Sequence, residues 1–471
     1  RLIYDVKRNI NTLQIIPSDV RAGVDSEGYQ MTAEAREYLK VTYLKPLRDA
    51  EAELVPKKNS RLSQILIGHE AFKGKDRDHD LVTLFDSFNL SVEKYFEGKN
   101  VDGNAIVDQK GKELKDRIDS FIKAFYHKQK ESQFDVSEGK LKNILEKLEL
   151  SIKDERNPGL GTLNRLFISS ELLHLHKRDW DGIRLGLIEE LEAHLHPQAQ
   201  MQIIEALQSE NSIQLILTTH SPNLGSKIKL KNLIICNSNL AFPMGSSYTE
   251  LSVPDYAFLE RFLDTTKANL FFAKGIILVE GWAEEIFLPS LAKKMGYNLT
   301  EKGVSIVNIG STAFLAYSNV FKRRDGQTLN IPVSVVSDLD VKPNEENDTD
   351  GGTTKKVSQT AKKIAKYSGQ KVKAFISDQW TFEYCLFKSP SLSTKFIEIA
   401  KAVHSRSDWT NFETELTNKL NAKTLKKTEI SYRMAQAIED DLALDTPIIN
   451  LDRNDASIEY LVEAIKYACG D

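Results

Sequence analysis

The chain has 471 residues, 63 Lys and Arg against 67 Asp and Glu, a formal net charge of −4, and 41% hydrophobic residues. That is ordinary globular composition, long enough for roughly two to four domains, and the charge balance excludes a uniformly basic DNA-coating protein while leaving room for a local basic groove. Cys236, Cys385 and Cys469 are far apart and odd in number, so neither a disulfide framework nor a cysteine zinc site is expected and a reducing cytosol is the default. No apolar run approaches about 18 residues, so no membrane span is predicted. The opening Arg1-Leu2-Ile3-Tyr4-Asp5 reads as the middle of a strand without Met or a signal pattern, and the expectation is that an N-terminal part is missing.

In chain order, Val41-Thr42-Tyr43-Leu44 reads as a strand, followed by Pro46 and a charged segment over 48–53. Residues 91–155 change character. Lys, Glu, Leu and Ile recur at helical spacing over 111–130 and 140–153, with Leu141, Ile144, Leu145 and Leu148 on one face. This predicts a helical insertion that packs on its own domain or on a second copy. Residues 183–188 read as a strand, 198–209 as a helix and 214–218 as a second strand. Residues 236–269 read as a polar connection followed by a helix, the best place for a domain boundary. Strands are then expected at 276–279, 304–309, 333–336 and 372–376 with amphipathic helices between them, a parallel sheet covered on both faces. Residues 343–356, rich in Asn, Asp, Glu and Thr with two glycines, read as a mobile loop.

Two constellations carry chemistry. Leu185-Gly186-Leu187-Ile188 runs into Glu189-Glu190 and then Leu191-Glu192-Ala193-His194. Phosphoryl transfer needs one acid for Mg2+ and one to orient water, and a strand end fixes two adjacent side chains at the sheet edge where ligands bind. A second strand ends in Thr218-Thr219-His220, and a glycine-rich turn, Gly159-Leu160-Gly161-Thr162-Leu163-Asn164, precedes a helix. That turn reads equally as a phosphate-binding loop and as a simple turn. In this order the pieces resemble the Walker B, D-loop and switch-histidine region of ABC-type ATPases of the structural-maintenance and RecF kind. The resemblance assigns Glu189 to the metal-linked acid, Glu190 to the catalytic base and His220 to γ-phosphate sensing, with Gly161 and Asn164 in the signature loop that would bind ATP. No G-x-x-x-x-G-K-[ST] sequence occurs, so the Walker A lysine is absent and weak ATP hydrolysis is expected of this chain.

The second constellation begins with Ile276-Ile277-Leu278-Val279-Glu280-Gly281, with Glu284 one helical turn later. Val333 to Ser337 leads into Asp338-Leu339-Asp340, where residues two apart share a face and pair as hard oxygen ligands. A strand ending in Glu-Gly and a later one ending in Asp-x-Asp is similar to the TOPRIM arrangement. Two divalent ions about 4 Å apart can there stabilise the attacking and leaving oxygens of a phosphodiester. Further on come Glu383, in Thr381-Phe382-Glu383-Tyr384, and Lys427, at a helix start.

The complete order resembles the OLD (overcoming lysogenisation defect) family, and within it the Gabija-type antiphage nucleases. Tyr43-Leu44-Lys45-Pro46-Leu47-Arg48-Asp49 adds to the likeness. The resemblance implies an α/β chain with an ABC/SMC-like ATPase domain carrying a helical dimerisation insertion, followed by a TOPRIM α/β domain. The ATPase parts would be 1–90 and 156–269, the insertion 91–155 and the TOPRIM nuclease 270–471. It also implies Glu280, Glu284, Asp338, Asp340 and Glu383 as ligands of Mg2+ or Mn2+, and Lys427 as a contact to the scissile phosphate. Ser337 could orient a ligand. The sequence departs from the family where Leu191 replaces a proline and where Cys385 stands near an expected acid.

Three basic groups, Lys322-Arg323-Arg324, the lysines 355, 356, 362, 363, 366, 371 and 373, and Lys423, Lys426 and Lys427, are expected to contact a DNA backbone. The leading reading is a cytoplasmic, metal-dependent DNA endonuclease or nickase in antiphage defence, regulated by ATP. Homodimeric or higher assembly and a helicase-like partner come from the family. The alternative is a RecF/SMC-like DNA-binding ATPase scaffold whose TOPRIM domain does not cut. A primase or topoisomerase activity lacks an evident companion domain.

Overall fold

The computed structural model describes all residues except 1, 5, 13, 18–19, 40, 47–49, 127–129, 137–138, 156, 176–181, 311–312 and 351, and the backbone alone at 6–7, 16–17, 37, 50–51, 126 and 350. Part of the Tyr43–Asp49 likeness therefore lies outside the described residues. The chain divides into two units, Arg1–Thr219 and His220–Asp471.

In the first unit, strands Thr42–Leu44, Leu185–Ile188 and Gln214–Leu217 form a parallel sheet with Leu185–Ile188 in the middle. Helix Leu160–Leu175 carries Glu171, 3% exposed, whose carboxylate takes both arms of the Arg61 guanidinium at 2.5 and 2.7 Å. This fork pins helix Arg61–Ile67 to the longer helix with the geometry that Arg favours. Helix Pro197–Ser209 starts where sequence rules place it: Pro197 lacks an N–H that would go unpaired in the first turn, and the His196 side chain accepts from the Gln198 amide.

Helices Asp80–Phe96 and Lys110–Tyr126 pack together in the helical part, so the first of them runs across residue 91. Leu141, Ile144 and Leu145 are buried with Val82, Phe72 and Phe85. The predicted helix over 140–153 is much shorter, Leu141–Leu145. Glu146 leaves the helix to accept from the Asn59 amide at 2.9 Å, and Leu148 turns out to solvent. Leu84, Phe88, Phe121 and Phe125 are exposed on the helical pair, with Phe121 and Phe125 stacked on one another.

The second unit is built on a four-stranded parallel sheet in the order Val304–Asn308, Gly275–Val279, Val333–Ser337, Val372–Ile376. Gly275–Val279 and Val333–Ser337 are buried along their whole length. Apolar and small residues are what a strand covered on both faces takes, and the one serine deep in them, Ser334, donates to the Ala464 carbonyl at 2.7 Å. One face packs on helices Trp282–Lys294, Lys427–Leu442 and Glu459–Cys469. Gly275 has to be glycine because a Cβ there would stand 2.0 Å from the Ala468 carbonyl oxygen. The other face packs on helix Phe314–Asn319, helix Val253–Phe262 and the antiparallel hairpin Ile234–Asn237/Leu240–Pro243. The stretch read from sequence as a polar connection is thus partly a hairpin. Its polar residues Asn237, Ser238 and Asn239 are the turn, while Ile235 and Phe242 enter the core. Among the described residues, no helix is long and apolar enough to cross a membrane.

Candidate functional site

In the second unit, the parallel register delivers four strand ends to one edge. Val279 pairs with Asn308 and Ser337 with Ile376, so Asn308, Glu280, Asp338 and Ser377 come out together. This is the edge of an open α/β sheet that binds ligands. Glu284 is in the first turn of helix Trp282–Lys294 and Glu383 in the first turn of helix Phe382–Lys388, whose Thr381 hydroxyl caps it by accepting from the Tyr384 amide.

The burial is uneven. Glu284 and Glu383 are buried, at 8% and 1% exposed, Glu280 and Asp338 are half-buried, and Asp340 faces solvent. Burial first, then the neighbouring Glu383 carboxylate, pushes the Glu284 carboxyl up to about 7. Burial, then Glu284, Glu383 and Glu280, holds Asp338 well above the usual carboxylate range. Burial also raises Glu280, against a lowering hydrogen bond from Ser337. These mutual effects mean that Glu280, Glu284, Asp338 and Glu383 face a common space.

The groups around them are specific. The Ser337 hydroxyl donates to Glu280 Oε1 at 2.8 Å, and the Asp338 amide approaches the same oxygen at 3.4 Å. Lys427 Nζ lies 2.8 Å from Glu383 Oε2. The other Glu383 oxygen, Oε1, has no hydrogen-bond partner among the described residues. Burial works against the Lys427 charge, but Glu383 and Asp338 outweigh it and keep the ammonium protonated. Lys363, from helix Lys355–Tyr367, donates to the Asp338 carbonyl and to Asp340 Oδ2, both at 2.6 Å. Asp340 sits at φ +60, a left-handed conformation that Asp tolerates better than most residues. Its amide donates to the Trp380 carbonyl, and Leu339 N donates to the Ser377 hydroxyl, which fixes the turn. Glu285 points away and accepts from the Asn308 side chain at 2.8 Å.

Among the described residues, no three His, Cys, Asp or Glu side chains converge closely enough to hold a metal ion as they stand. The ammonium groups of Lys427 and Lys363 draw Glu383 and Asp340 to themselves. Yet the donor set suits a hard cation. Burial and then the neighbouring carboxylates raise Glu284 and Asp338, and Oε1 of the buried Glu383 has no hydrogen-bond partner among the described residues.

Lys363 and Ser377 are the residues that pattern reading missed or misplaced. Lys363 belongs to the basic group expected on DNA, and instead its side chain, 12% exposed, is committed to the acidic turn. Lys322 and Arg323 are corrected likewise. They are 4% and 3% exposed, and Arg323 pairs with Asp325, donates to the Pro243 carbonyl and lies over the Phe242 and Tyr248 rings. Arg323 ties the hairpin to the sheet domain, and neither buried side chain presents its charge as a surface. Lys356 is paired with Asp378 at 2.7 Å, and Lys373 lies over Tyr467.

In the first unit, Glu189 and Glu190 leave the central strand at the carboxyl edge. Tyr43 Oη donates to Glu189 Oε1 at 2.9 Å, which raises the tyrosine's pKa. Glu190, at φ +44, has its amide on the Thr218 hydroxyl at 3.1 Å. Leu191, the departure from the family's proline, is wholly buried. Gly161 and Asn164 both lie in helix Leu160–Leu175 and hold the loop after the paired acids: Asn164 Nδ2 donates to the Ala193 carbonyl at 2.8 Å, and a Cβ on Gly161 would stand 2.7 Å from the His194 carbonyl oxygen. His220 is exposed, three residues past strand Gln214–Leu217, and is the first residue of the second unit.

Residues 271–340 match the family described as the TOPRIM domain of overcoming lysogenization defect-like proteins, and residues 36–224 match an AAA ATPase domain. The first match contains Glu280, Glu284, Asp338 and Asp340 and stops before Glu383 and Lys427. Endonuclease GajA of Bacillus cereus (strain HuB5-5) is 24% identical over 310 residues, 57% of this chain and 44% of that protein. The OLD nuclease of Thermus scotoductus (strain ATCC 700910 / SA-01) is 28% identical over 196 residues, 38% of this chain and 36% of that protein. The C-terminal region of the Burkholderia pseudomallei OLD protein aligns with 21% identity and a TM-score of 0.29, covering 42% of this chain and 99% of that one. The chain spans less than half the length of the curated relatives it matches. The chain thus carries a match to an AAA ATPase domain followed by a match to an OLD-like TOPRIM domain, and the two curated relatives above are an endonuclease and an OLD nuclease.

Proposed function

We propose that this protein is a metal-dependent DNA endonuclease or nickase that cuts at the Glu280 edge of the TOPRIM sheet and is regulated by its ATPase domain. The observation that carries the reading is the convergence of Glu280, Glu284, Asp338 and the buried Glu383 beside a protonated Lys427, the first three raised by burial and neighbouring charge. Such crowding lowers stability unless a cation is to be held, and perturbed acids cluster at functional sites.

Glu280, Glu284, Asp338, Asp340 and Glu383 would hold Mg2+ or Mn2+, which supplies charge neutralisation and a nucleophile at neutral pH. Ser337 holds one Glu280 oxygen by donating to it, which orients the carboxylate. Lys427 stays protonated and offers a compact charge to a phosphate oxygen. Lys363 holds the Asp338-Leu339-Asp340 turn in shape.

In the ATPase domain, Glu189 would serve the nucleotide-linked metal and Glu190 the attacking water, with His220 sensing the γ-phosphate. Gly161 and Asn164 would act on ATP through the loop they brace. The exposed Leu84, Phe88, Phe121 and Phe125 support self-association through the helical part. A cytoplasmic setting, a role in antiphage defence and a helicase-like partner follow from the Gabija likeness. The test is plasmid cleavage in Mg2+ or Mn2+ by the parent, Glu280→Ala and Lys427→Met, with DNA binding measured alongside. Cleavage by the parent and none by the variants, all binding DNA, is expected. Equal cleavage by all three would reject the site, and binding without cleavage by the parent would favour the RecF-like scaffold.

A further inference from the structure

Tyr460 carries a hydroxyl that is buried and has no hydrogen-bond partner among the described residues. A buried phenol normally finds one, because giving up water without replacement costs stability. Other tyrosines of this unit do: Tyr256 donates to the Met244 carbonyl, Tyr384 to Glu413 and Tyr467 to the Lys371 carbonyl.

The helix fixes where that hydroxyl lies. Tyr460, Ala464 and Ala468 are spaced by four along helix Glu459–Cys469 and share a face. At Ala468 this face meets the start of strand Gly275–Val279, where Gly275 leaves room for the Ala468 carbonyl. At Ala464 it meets Ser334, which donates to the Ala464 carbonyl and pairs with Ile277. One helical turn therefore matches two strand residues, as the rise of each element requires. The next turn brings Tyr460 level with Val279, at the end of the strand. Side chains on a helix lean toward its N-terminus, here toward the carboxyl edge of the sheet, so the phenol reaches beneath Glu280 and Asp338. The electrostatics agree. Burial, then the Cys385 thiol, Asp338, Glu284 and Glu383 raise the phenol well above its ordinary range, so its oxygen keeps the proton and can only serve as a neutral donor or acceptor.

The same acidic space holds an acceptor with the matching lack. Glu383 is 1% exposed; its Oε2 is paired with Lys427, and its Oε1 has no hydrogen-bond partner among the described residues. We propose that Tyr460 is a positioning residue of the acidic site, whose hydroxyl donates, directly or through one trapped water, to Glu383 Oε1 and aims that carboxylate at a cation. This rests on the metal-dependent reading above. Held by Lys427 at one oxygen and by Tyr460 at the other, the carboxylate is fixed in direction, and each oxygen keeps a lone pair for the ion. Ser337 serves Glu280 in the same way from the sheet.

The test is Mn2+ binding by electron paramagnetic resonance, beside thermal unfolding in EDTA, for the parent, Tyr460→Phe and Tyr467→Phe. Tyr460→Phe keeps the ring and removes only the hydroxyl. It should bind Mn2+ about tenfold more weakly, with a melting midpoint in EDTA equal to the parent's or higher, because no hydrogen bond is lost there. Tyr467→Phe loses a hydrogen bond at the other end of the same helix, so its midpoint should fall while its Mn2+ affinity stays parental. Cleavage by Tyr460→Phe should need about tenfold more Mn2+ to reach half its maximal rate. Parental Mn2+ affinity in Tyr460→Phe would overturn the proposal. So would a Tyr460→Phe chain that fails to fold or melts well below the parent in EDTA, which would make the hydroxyl a structural contact. A parent that binds no Mn2+ would overturn the metal-dependent reading itself, and the positioning role with it.

Discussion

Replacing Glu284 with glutamine should make the protein more stable in the absence of divalent ions while removing its cleavage activity. Glu284 is 8% exposed, and its carboxyl is pushed from its ordinary 4.5 to about 7, first by burial and then by Glu383. That displacement corresponds to roughly 3 kcal/mol of penalty for the ionised form. Between those two values the native state binds more protons than the unfolded chain, so this contribution is fully present below 4.5 and is lost as pH rises through about 7. Glutamine keeps the shape and removes the charge. The crowding is shared with Asp338 and Glu383, so about half of the penalty should be recovered, raising the melting midpoint of this unit by roughly 5 °C at about pH 8. The assay is thermal unfolding in EDTA at about pH 5 and about pH 8, where the parent should lose stability with rising pH more steeply than the variant. Added Mn2+ should stabilise the parent more than the variant. An unchanged midpoint at the higher pH, or equal pH slopes, would refute the reasoning.

Other outcomes follow from particular contacts. Ser337→Ala removes the donor on Glu280 and should lower cleavage about 10–100-fold with little loss of stability, measured by rates beside melting curves. Gly161→Ala puts a methyl 2.7 Å from the His194 carbonyl oxygen, so it should destabilise the first unit by about 1–3 kcal/mol in denaturant titration. Arg323→Ala strands Asp325 and empties a buried site, so it should cost about 3 kcal/mol while leaving DNA affinity unchanged, read by urea unfolding and by anisotropy.

Much of the site was legible because strand ends are legible. Ile276–Val279 is an unbroken apolar run and Val333–Ser337 a valine run interrupted only by small serines, which predicts burial on both faces and places the acids that follow them at the sheet edge. Pattern could not tell where long side chains end up. Lys363 and the Lys322-Arg323-Arg324 run look like solvated or DNA-facing charge, because helical spacing reports a face but not what stands opposite it. Only the folded chain brings the Lys363 ammonium to Asp340 and lays Arg323 over Phe242. The short helix Leu141–Leu145 has a similar cause. Leu148 continues the apolar periodicity, yet Glu146 is drawn to the Asn59 amide and the turn ends there. The lysine pairing of Glu383 was likewise out of reach, since Lys427 lies 44 positions further along the chain.

The most direct test of the central claim is Asp338→Asn, because Asp338 is the carboxyl raised by all three of Glu284, Glu383 and Glu280. Cleavage of supercoiled plasmid and Mn2+ binding by electron paramagnetic resonance would be followed on the same preparations of parent and variant. The account predicts that the parent binds Mn2+ and cuts, that EDTA stops it, and that the variant folds and binds DNA but has lost both tight Mn2+ binding and cleavage. A variant that binds Mn2+ and cuts at the parental rate would contradict it.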